Sequence, residues 1–284
     1  MTQVLTSTAR EERVAGTGGL NIFVRSWRPS GAARAIVVIC HGFNAHSGQY
    51  QSVGEQLAAV GLAVYALDLR GRGHSDGERF YVDKFADYVS DVASVVALAK
   101  AREPGLSVYL LGHSAGGVVS CIYTLEHQSE LAGLICESFA FQVPAPDFAI
   151  AVLKGLSHLA PHAHVVKLNN EDFSRDPEVV RSMNADPLIA HEVQPTRTAA
   201  EMARADDRLK REFPLITLPV LILHGTFDKV TKPSGSQLFY ETAGSADKTL
   251  KLYEGHYHDL LHDVGKEQVL ADITTWIDAR VSAA

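Results

Sequence analysis

Ser107-Val108-Tyr109-Leu110-Leu111-Gly112-His113-Ser114-Ala115-Gly116-Gly117 runs from a short apolar segment straight into a serine flanked by glycines. A continuous apolar run of this length suits a strand covered on both faces. The glycines permit a sharp turn from strand to helix without Cβ clashes, which leaves the Ser114 hydroxyl exposed at the sheet's edge. The helix expected to open near Ala115 aims its first backbone N–H groups at the same place, where a developing oxyanion would be stabilised. Gly112–Gly116 therefore matches G-x-S-x-G in the strand–turn–helix context that gives the motif meaning. Without that context it reads as a glycine-rich turn with a helix-capping serine.

The same rhythm recurs on both sides. Further strands are expected at 35–40, closed by His41-Gly42, at 63–67, closed by Asp68, and at 132–136, 220–223 and 249–253. Helical spacing appears over 83–100, where Phe85, Tyr88, Val89, Val92, Val95, Val96 and Ala99 share a face, and again over 118–127 and 237–243. Alternation of this kind predicts an α/β fold, a mostly parallel central sheet with helices on both faces. Residues 20–27 alternate more loosely and suit an antiparallel edge strand. The rhythm breaks over 142–213, which holds an apolar helix candidate at 147–159 and another near 198–211. The division expected is a core of 1–141 and 214–284 with a helical cap inserted at 142–213.

Bulk properties bound the function. The 284 residues are 46% hydrophobic and 21% charged, enough apolar material for one large core. A net charge of -7 without any Lys/Arg cluster argues against a nucleic-acid partner. The polar start, 1–13, lacks the apolar core of a secretory signal, and no apolar run is long enough to span a bilayer. Cys40, Cys121 and Cys136 sit among apolar neighbours and outside any zinc-binding spacing, so buried reduced thiols and a cytoplasmic location are expected.

A serine hydroxyl becomes a useful nucleophile only when a base takes its proton and a third group orients that base. Asp228 follows the strand 220–223 within His224-Gly225-Thr226-Phe227-Asp228, on a loop leaving a strand's carboxyl end, where open α/β sheets build their sites. After the strand 249–253 come His256, His258 and His262; spacing leaves His256 and His258 as rivals for the base and puts His262 on the following helix.

Five segments, in order, resemble the monoacylglycerol lipase and lysophospholipase group of α/β-hydrolases. They are His41-Gly42-Phe43-Asn44-Ala45-His46-Ser47-Gly48-Gln49-Tyr50, Asp68-Leu69-Arg70-Gly71-Arg72-Gly73-His74-Ser75, residues 112–117, residues 224–228 and residues 253–258. Asp186-Pro187-Leu188 in the insertion resembles a further signature of that group. The resemblance implies an α/β-hydrolase fold and a catalytic triad of Ser114, Asp228 and His258. It also implies an oxyanion hole from the N–H groups of Phe43 and Ala115, and it makes 68–75 a supporting loop. His41 and His46 are expected to orient the oxyanion loop. His113 is expected to be packed and hydrogen-bonded beside the substrate site.

Two departures bear on the substrate. Where many members carry Gly-Glu and Arg, this chain has Asn44-Ala45 and Gln49, so the polar end of the pocket lacks both charges. Phe43 is bulkier than the usual residue at its position. In the insertion, Phe148, Val152 and Leu156 belong to an apolar helix face that either packs on the core or lines an acyl chain. Asn44, His113, Phe148, Val152 and Leu156 are the candidate substrate-binding residues. The expected activity is hydrolysis of an acyl ester through an acyl-enzyme, without metal or organic cofactor. Thioester, lactone or carbon–carbon cleavage on the same triad is the nearer alternative, and a non-catalytic ligand-binding protein the more distant one. The partner expected is a small acyl ester, with weak peripheral membrane contact through the cap; oligomeric state is not legible.

Overall fold

The computed structural model describes residues 9–142 and 145–281. Of the polar start at 1–13, residues 1–8 therefore lie outside the described residues. The chain opens with β1 (Arg10–Ala15), β2 (Asn21–Trp27) and β3 (Ala35–Cys40), followed by α1 (Gln51–Ala59) and β4 (Leu62–Leu67). Next come α2 (Phe85–Arg102), β5 (Val108–His113), α3 (Ala115–His127) and β6 (Gly133–Glu137). Towards its end the chain forms β9 (Val220–Gly225), α7 (Pro233–Thr242), β10 (Lys248–Tyr253) and α8 (Lys266–Val281). The eight strands lie in the order β1-β2-β4-β3-β5-β6-β9-β10. From β4 to β10 every pairing is parallel, whereas β2 runs antiparallel to both β1 and β4.

β3, β4, β5, β6 and β9 are buried along their whole length, as their unbroken apolar runs demand. One corrected expectation concerns the edge. β2 is not the edge strand, because β1 pairs outside it. β1 reads Arg-Glu-Glu-Arg-Val-Ala and has no buried residue, so it carries no apolar signal. Its position is held instead by register pairs and by ion pairs from Arg25 to Glu11 and from Arg102 to Glu12.

Between β6 and β9 the chain forms α4 (Asp147–Leu159), β7 (His164–Val166), α5 (Pro177–Ala185), β8 (Gln194–Pro195) and α6 (Thr196–Glu212). α6 packs on α2, α3 and α4, so this segment is seated on one side of the sheet. One of its buried anchors is polar. Arg72, buried on the loop after β4, donates to Glu192 and, at 2.7 Å, to Gln194 Oε1. The guanidinium also lies 4.3 Å from the centre of the Phe43 ring. Removing one partner of a buried pair leaves an uncompensated charge. Arg72→Met is therefore expected to cost about 3–5 kcal/mol in urea unfolding, with much of it recovered when Glu192→Met is added.

Candidate active site

Ser114 sits between β5 and α3 with φ 54° and ψ −120°, a left-sided conformation that a non-glycine residue holds only when its surroundings impose it. They do so here. Its N–H donates to the Glu137 carbonyl at 2.9 Å, and its carbonyl accepts from Gly117 N–H at 2.9 Å and Ala140 N–H at 3.1 Å. The glycines around it are needed for close approach. A Cβ on Gly116 would meet the Cys40 carbonyl oxygen at 2.1 Å, so α3 starts directly against the end of β3. A Cβ on Gly42 would stand 2.8 Å from the Ser114 Cβ and 3.3 Å from its Oγ. The Gly42-Phe43 backbone thus flanks the hydroxyl on one side. Ala115, the first residue of α3, flanks it on the other with an N–H that has no acceptor within its own helix.

The Ser114 hydroxyl donates to His258 Nε2 at 2.8 Å, and His258 Nδ1–H donates to Asp228 Oδ2 at 2.8 Å. His258 is fully buried, and the edge of its ring meets Phe173 at a centroid separation of 5.0 Å. Asp228 receives an unusually dense set of donors. Oδ1 accepts from the amides of Val230 at 2.7 Å and Thr231 at 2.9 Å. Oδ2 accepts, besides His258, the Thr231 hydroxyl at 2.8 Å and His224 Nε2–H at 3.1 Å. Burial alone would raise the carboxyl's pKa. The positive potential of His258 and the hydrogen bonds from both histidines override it and hold Asp228 well below the usual carboxylate range.

The three residues expected from sequence to act together are thus joined in series through His258. His256 lies outside this group, its Nδ1–H donating to the Glu254 carbonyl at 3.2 Å. His262 is not on the following helix, which begins only at Lys266. It sits in a turn, donating from Nδ1 to Asp259 Oδ1 at 2.8 Å and from Nε2 to the Gln49 carbonyl at 2.9 Å. Two acceptors favour the imidazolium, and against burial the Asp259 charge raises its pKa.

The loop that follows β3 is tied down as expected for His41 and His46. His41 Nδ1–H donates to the Gly42 carbonyl at 2.7 Å while Nε2 accepts from Leu69 N–H at 3.1 Å. Burial pushes this histidine down to about 4, which keeps it neutral. His46 reaches across to Asp186 at 2.8 Å, and Asn44 Nδ2–H donates to Asn170 Oδ1 at 2.9 Å. Asn44, with φ 52°, is buried and leaves its Oδ1 unpaired among the described residues.

His113 departs from expectation. It is packed, with its ring centre 5.0 Å from that of His258, but neither ring nitrogen has a hydrogen-bond partner among the described residues. Phe148 and Val152 are 74% and 65% exposed, so this face of α4 is not packed on the core. His224, Thr231, Phe173, Glu137 and Asp259 border Ser114, Asp228 and His258, and the sequence assigns them no role. His224 lies within the segment 224–228, Phe173 is near no motif, and burial of a histidine or a carboxyl cannot be read from a one-dimensional spacing.

A family model described as serine aminopeptidase, S33, matches residues 31–265. The chain belongs to this family of serine hydrolases. It is 34% identical to a monoacylglycerol lipase of Mycolicibacterium smegmatis over 278 residues, covering 96% of this chain and 99% of the relative. It is 33% identical to the monoglyceride lipase of Homo sapiens over 271 residues, covering 94% and 89%. Among solved structures it is similar to the monoacylglycerol lipase of Paleococcus ferrophilus, with TM-score 0.82, 29% identity and coverage of 93% and 99%. The α/β-hydrolase expected from the five segments is thus the family to which the chain belongs, of the monoacylglycerol-lipase-like kind. This serine hydrolase cleaves carboxylic esters.

Proposed function

We propose that Ser114 is the nucleophile, His258 the general base and acid, and Asp228 the group that orients it. The observation that carries the reading is the unbroken relay from Ser114 Oγ through both His258 nitrogens to Asp228, each step 2.8 Å. His258 Nε2 takes the Ser114 proton as Oγ attacks the ester carbonyl, and Asp228 stabilises the imidazolium that results. The oxyanion is received by the N–H groups of Phe43 and Ala115. His258 then hands its proton to the departing alcohol. A water activated by the same imidazole attacks the acyl-enzyme, and collapse releases the carboxylic acid and returns the proton to Ser114. No step calls for a metal or an organic cofactor.

The substrate favoured is a medium-chain or long-chain acyl ester with a small alcohol. The relatives' activities support this class, as does an apolar α4. Residues 142–213 serve as the cap over a core of 1–141 and 214–284, and Phe148, Val152 and Leu156 offer the acyl chain or a lipid surface an apolar face. His113 and Asn44 border the reacting centre. Ala45 and Gln49 leave the alcohol end without the family's charges, so recognition of the alcohol is expected to be loose. Three buried free cysteines suit a reducing compartment, and we place the enzyme in the cytoplasm. Among the described residues no helix is long and apolar enough to cross a membrane.

A panel of 1-monoacylglycerols, lysophospholipids, methyl esters of matched chain length, short p-nitrophenyl esters and acyl-CoA tests the substrate class. The expected result is kcat/KM rising about tenfold or more from short to medium acyl chains, since each buried CH2 contributes roughly 0.8 kcal/mol. Glycerol and methyl esters of one acid should differ by less than that. Equal low rates on every lipid would count against an acyl-chain site.

A further inference from the structure

Beneath the serine and the histidine lies a second polar cluster that the ester mechanism does not use. Glu137 closes β6 and is fully buried. Its main-chain carbonyl accepts the Ser114 N–H at 2.9 Å, and its side-chain Oε1 accepts the Leu260 N–H at 2.6 Å. One residue thereby bonds both the turn that carries the nucleophile and the loop that carries His258. Its second oxygen, Oε2, has no partner among the described residues, and neither does either ring nitrogen of His113. Asp259 completes the group. One polar atom from each of His113, Glu137 and Asp259 lies within 4.8 Å of the other two, and all three residues are buried.

Two carboxyl groups this close in a dry site cannot both ionise cheaply, and a proton is the smallest charge that relieves them. The surroundings decide where it resides. Burial and the negative charges of Asp259 and Asp228 push Glu137 well above the usual carboxylate range, against the Leu260 and Leu261 amides that oppose the rise. Asp259, although buried, is held low chiefly by His262, whose ring is charged and hydrogen-bonded to it. Burial pushes His113 down to about 3, so its ring is neutral and keeps one nitrogen free to accept a proton. Tyr50 and Tyr253, the other titratable groups that feel Glu137, are themselves pushed up and stay neutral.

We propose that Glu137 is a positioning residue that works as the neutral acid, strapping the His258 loop to the serine turn without placing a second negative charge beneath the imidazole. The inference rests on the hydrolase reading above. Its consequence is directional. Once Glu137 ionises, it and Asp259 repel within the cluster, the loop that carries His258 is pushed away from the serine turn, and kcat/KM falls.

Infrared difference spectroscopy combined with pH-rate profiles tests this. Wild type at neutral pH should show the C=O stretch of a protonated carboxylic acid, lost in Glu137→Gln and retained in Ser114→Ala. With a soluble p-nitrophenyl ester, Glu137→Leu should lower kcat about tenfold or more with little change in KM, because the base loses its fixed position. Glu137→Gln should restore most of that loss while lacking the alkaline fall in kcat/KM that wild type shows. Where Glu137→Gln does not fold, Asp259→Asn decides, since removing the neighbouring carboxylate should make the band disappear at a lower pH. The proposal is overturned by absence of the band in wild type, by equal losses in the Leu and Gln variants, or by an unmoved titration in Asp259→Asn. Stoichiometric Zn2+ binding to wild type but not to Glu137→Gln would overturn it in favour of a metal site. Failure of a fluorophosphonate to label Ser114 would sink the hydrolase reading and leave the infrared outcome standing on its own.

Discussion

Ser114→Ala is expected to lower kcat/KM for a p-nitrophenyl ester by about 10^5-fold, with the fold unchanged by circular dichroism. The size follows from how the group works. Without Oγ there is no acyl-enzyme, and His258 has nothing to activate but a water with no defined place. Losing the serine of a comparable triad costs about 10^6 in kcat, and what remains comes from the oxyanion donors and binding alone. The backbone at position 114 should tolerate the change. Alanine meets the same restriction as serine at φ 54°, and the hydrogen bonds that hold the turn there are main-chain bonds. A fall in activity with little change in thermal midpoint is the pattern that separates lost chemistry from lost structure. Activity within about tenfold of wild type would mean that the hydroxyl is not the nucleophile.

Asp228→Asn is the second large effect, about 10^4-fold in kcat, and it should also destabilise the protein. The carboxylate accepts from His258, His224, the Thr231 hydroxyl and two amides, so every direction around it is occupied by a donor. An amide NH2 in that place must face at least one donor. If it faces His258, the imidazole turns its bare nitrogen toward position 228 and its N–H toward Ser114, the wrong tautomer for a base. If it faces the amides of Val230 and Thr231, the loop that positions the side chain opens. The pH dependence carries a sign. The folded-state pKa of Asp228 lies below the unfolded value of about 3.9, so its contribution to stability is complete above that value and is lost as pH falls toward the folded one. The stability gap between wild type and Asp228→Asn should therefore be widest near neutrality and close below about pH 4. A gap that stayed constant to pH 3 would show that the charge is not what the donors hold.

Much of this was legible in the chain because the relevant signals are local. A strand buried on both faces is a run of apolar residues wherever it occurs, which is why β3, β5 and β9 stand out in the sequence. The serine turn is equally local, since its glycines are forced by contacts within a few ångströms, as at Gly116 against Cys40. β1 escaped because a solvated edge strand has no hydrophobic signature, only charged residues paired across to β2 and α2. The second imidazole on Asp228 and the carboxyl beneath Ser114 escaped for a different reason. His224 and Glu137 close strands whose apolar runs predict burial, but whether a buried polar end has a partner depends on loops far away in sequence. His258 was separable from His256 only through resemblance, because a two-residue difference in a turn is decided by its backbone path.

The Phe43 ring shows the same limit. Its breadth was visible as a departure from a smaller residue, whereas its stacking under Arg72, itself paired to Glu192 and Gln194, was not. That contact links the loop after β3, which we propose receives the oxyanion, to residues 192–194, so a substitution at Arg72 should alter reactivity as well as stability.

Labelling with a fluorophosphonate, followed by mass mapping alongside ester hydrolysis, tests the triad most directly. The expected result is one adduct per chain, on the peptide containing Ser114, with activity falling in step with modification and no adduct in Ser114→Ala. Complete inactivation with Ser114 unmodified, or full modification of Ser114 with ester hydrolysis intact, would contradict it.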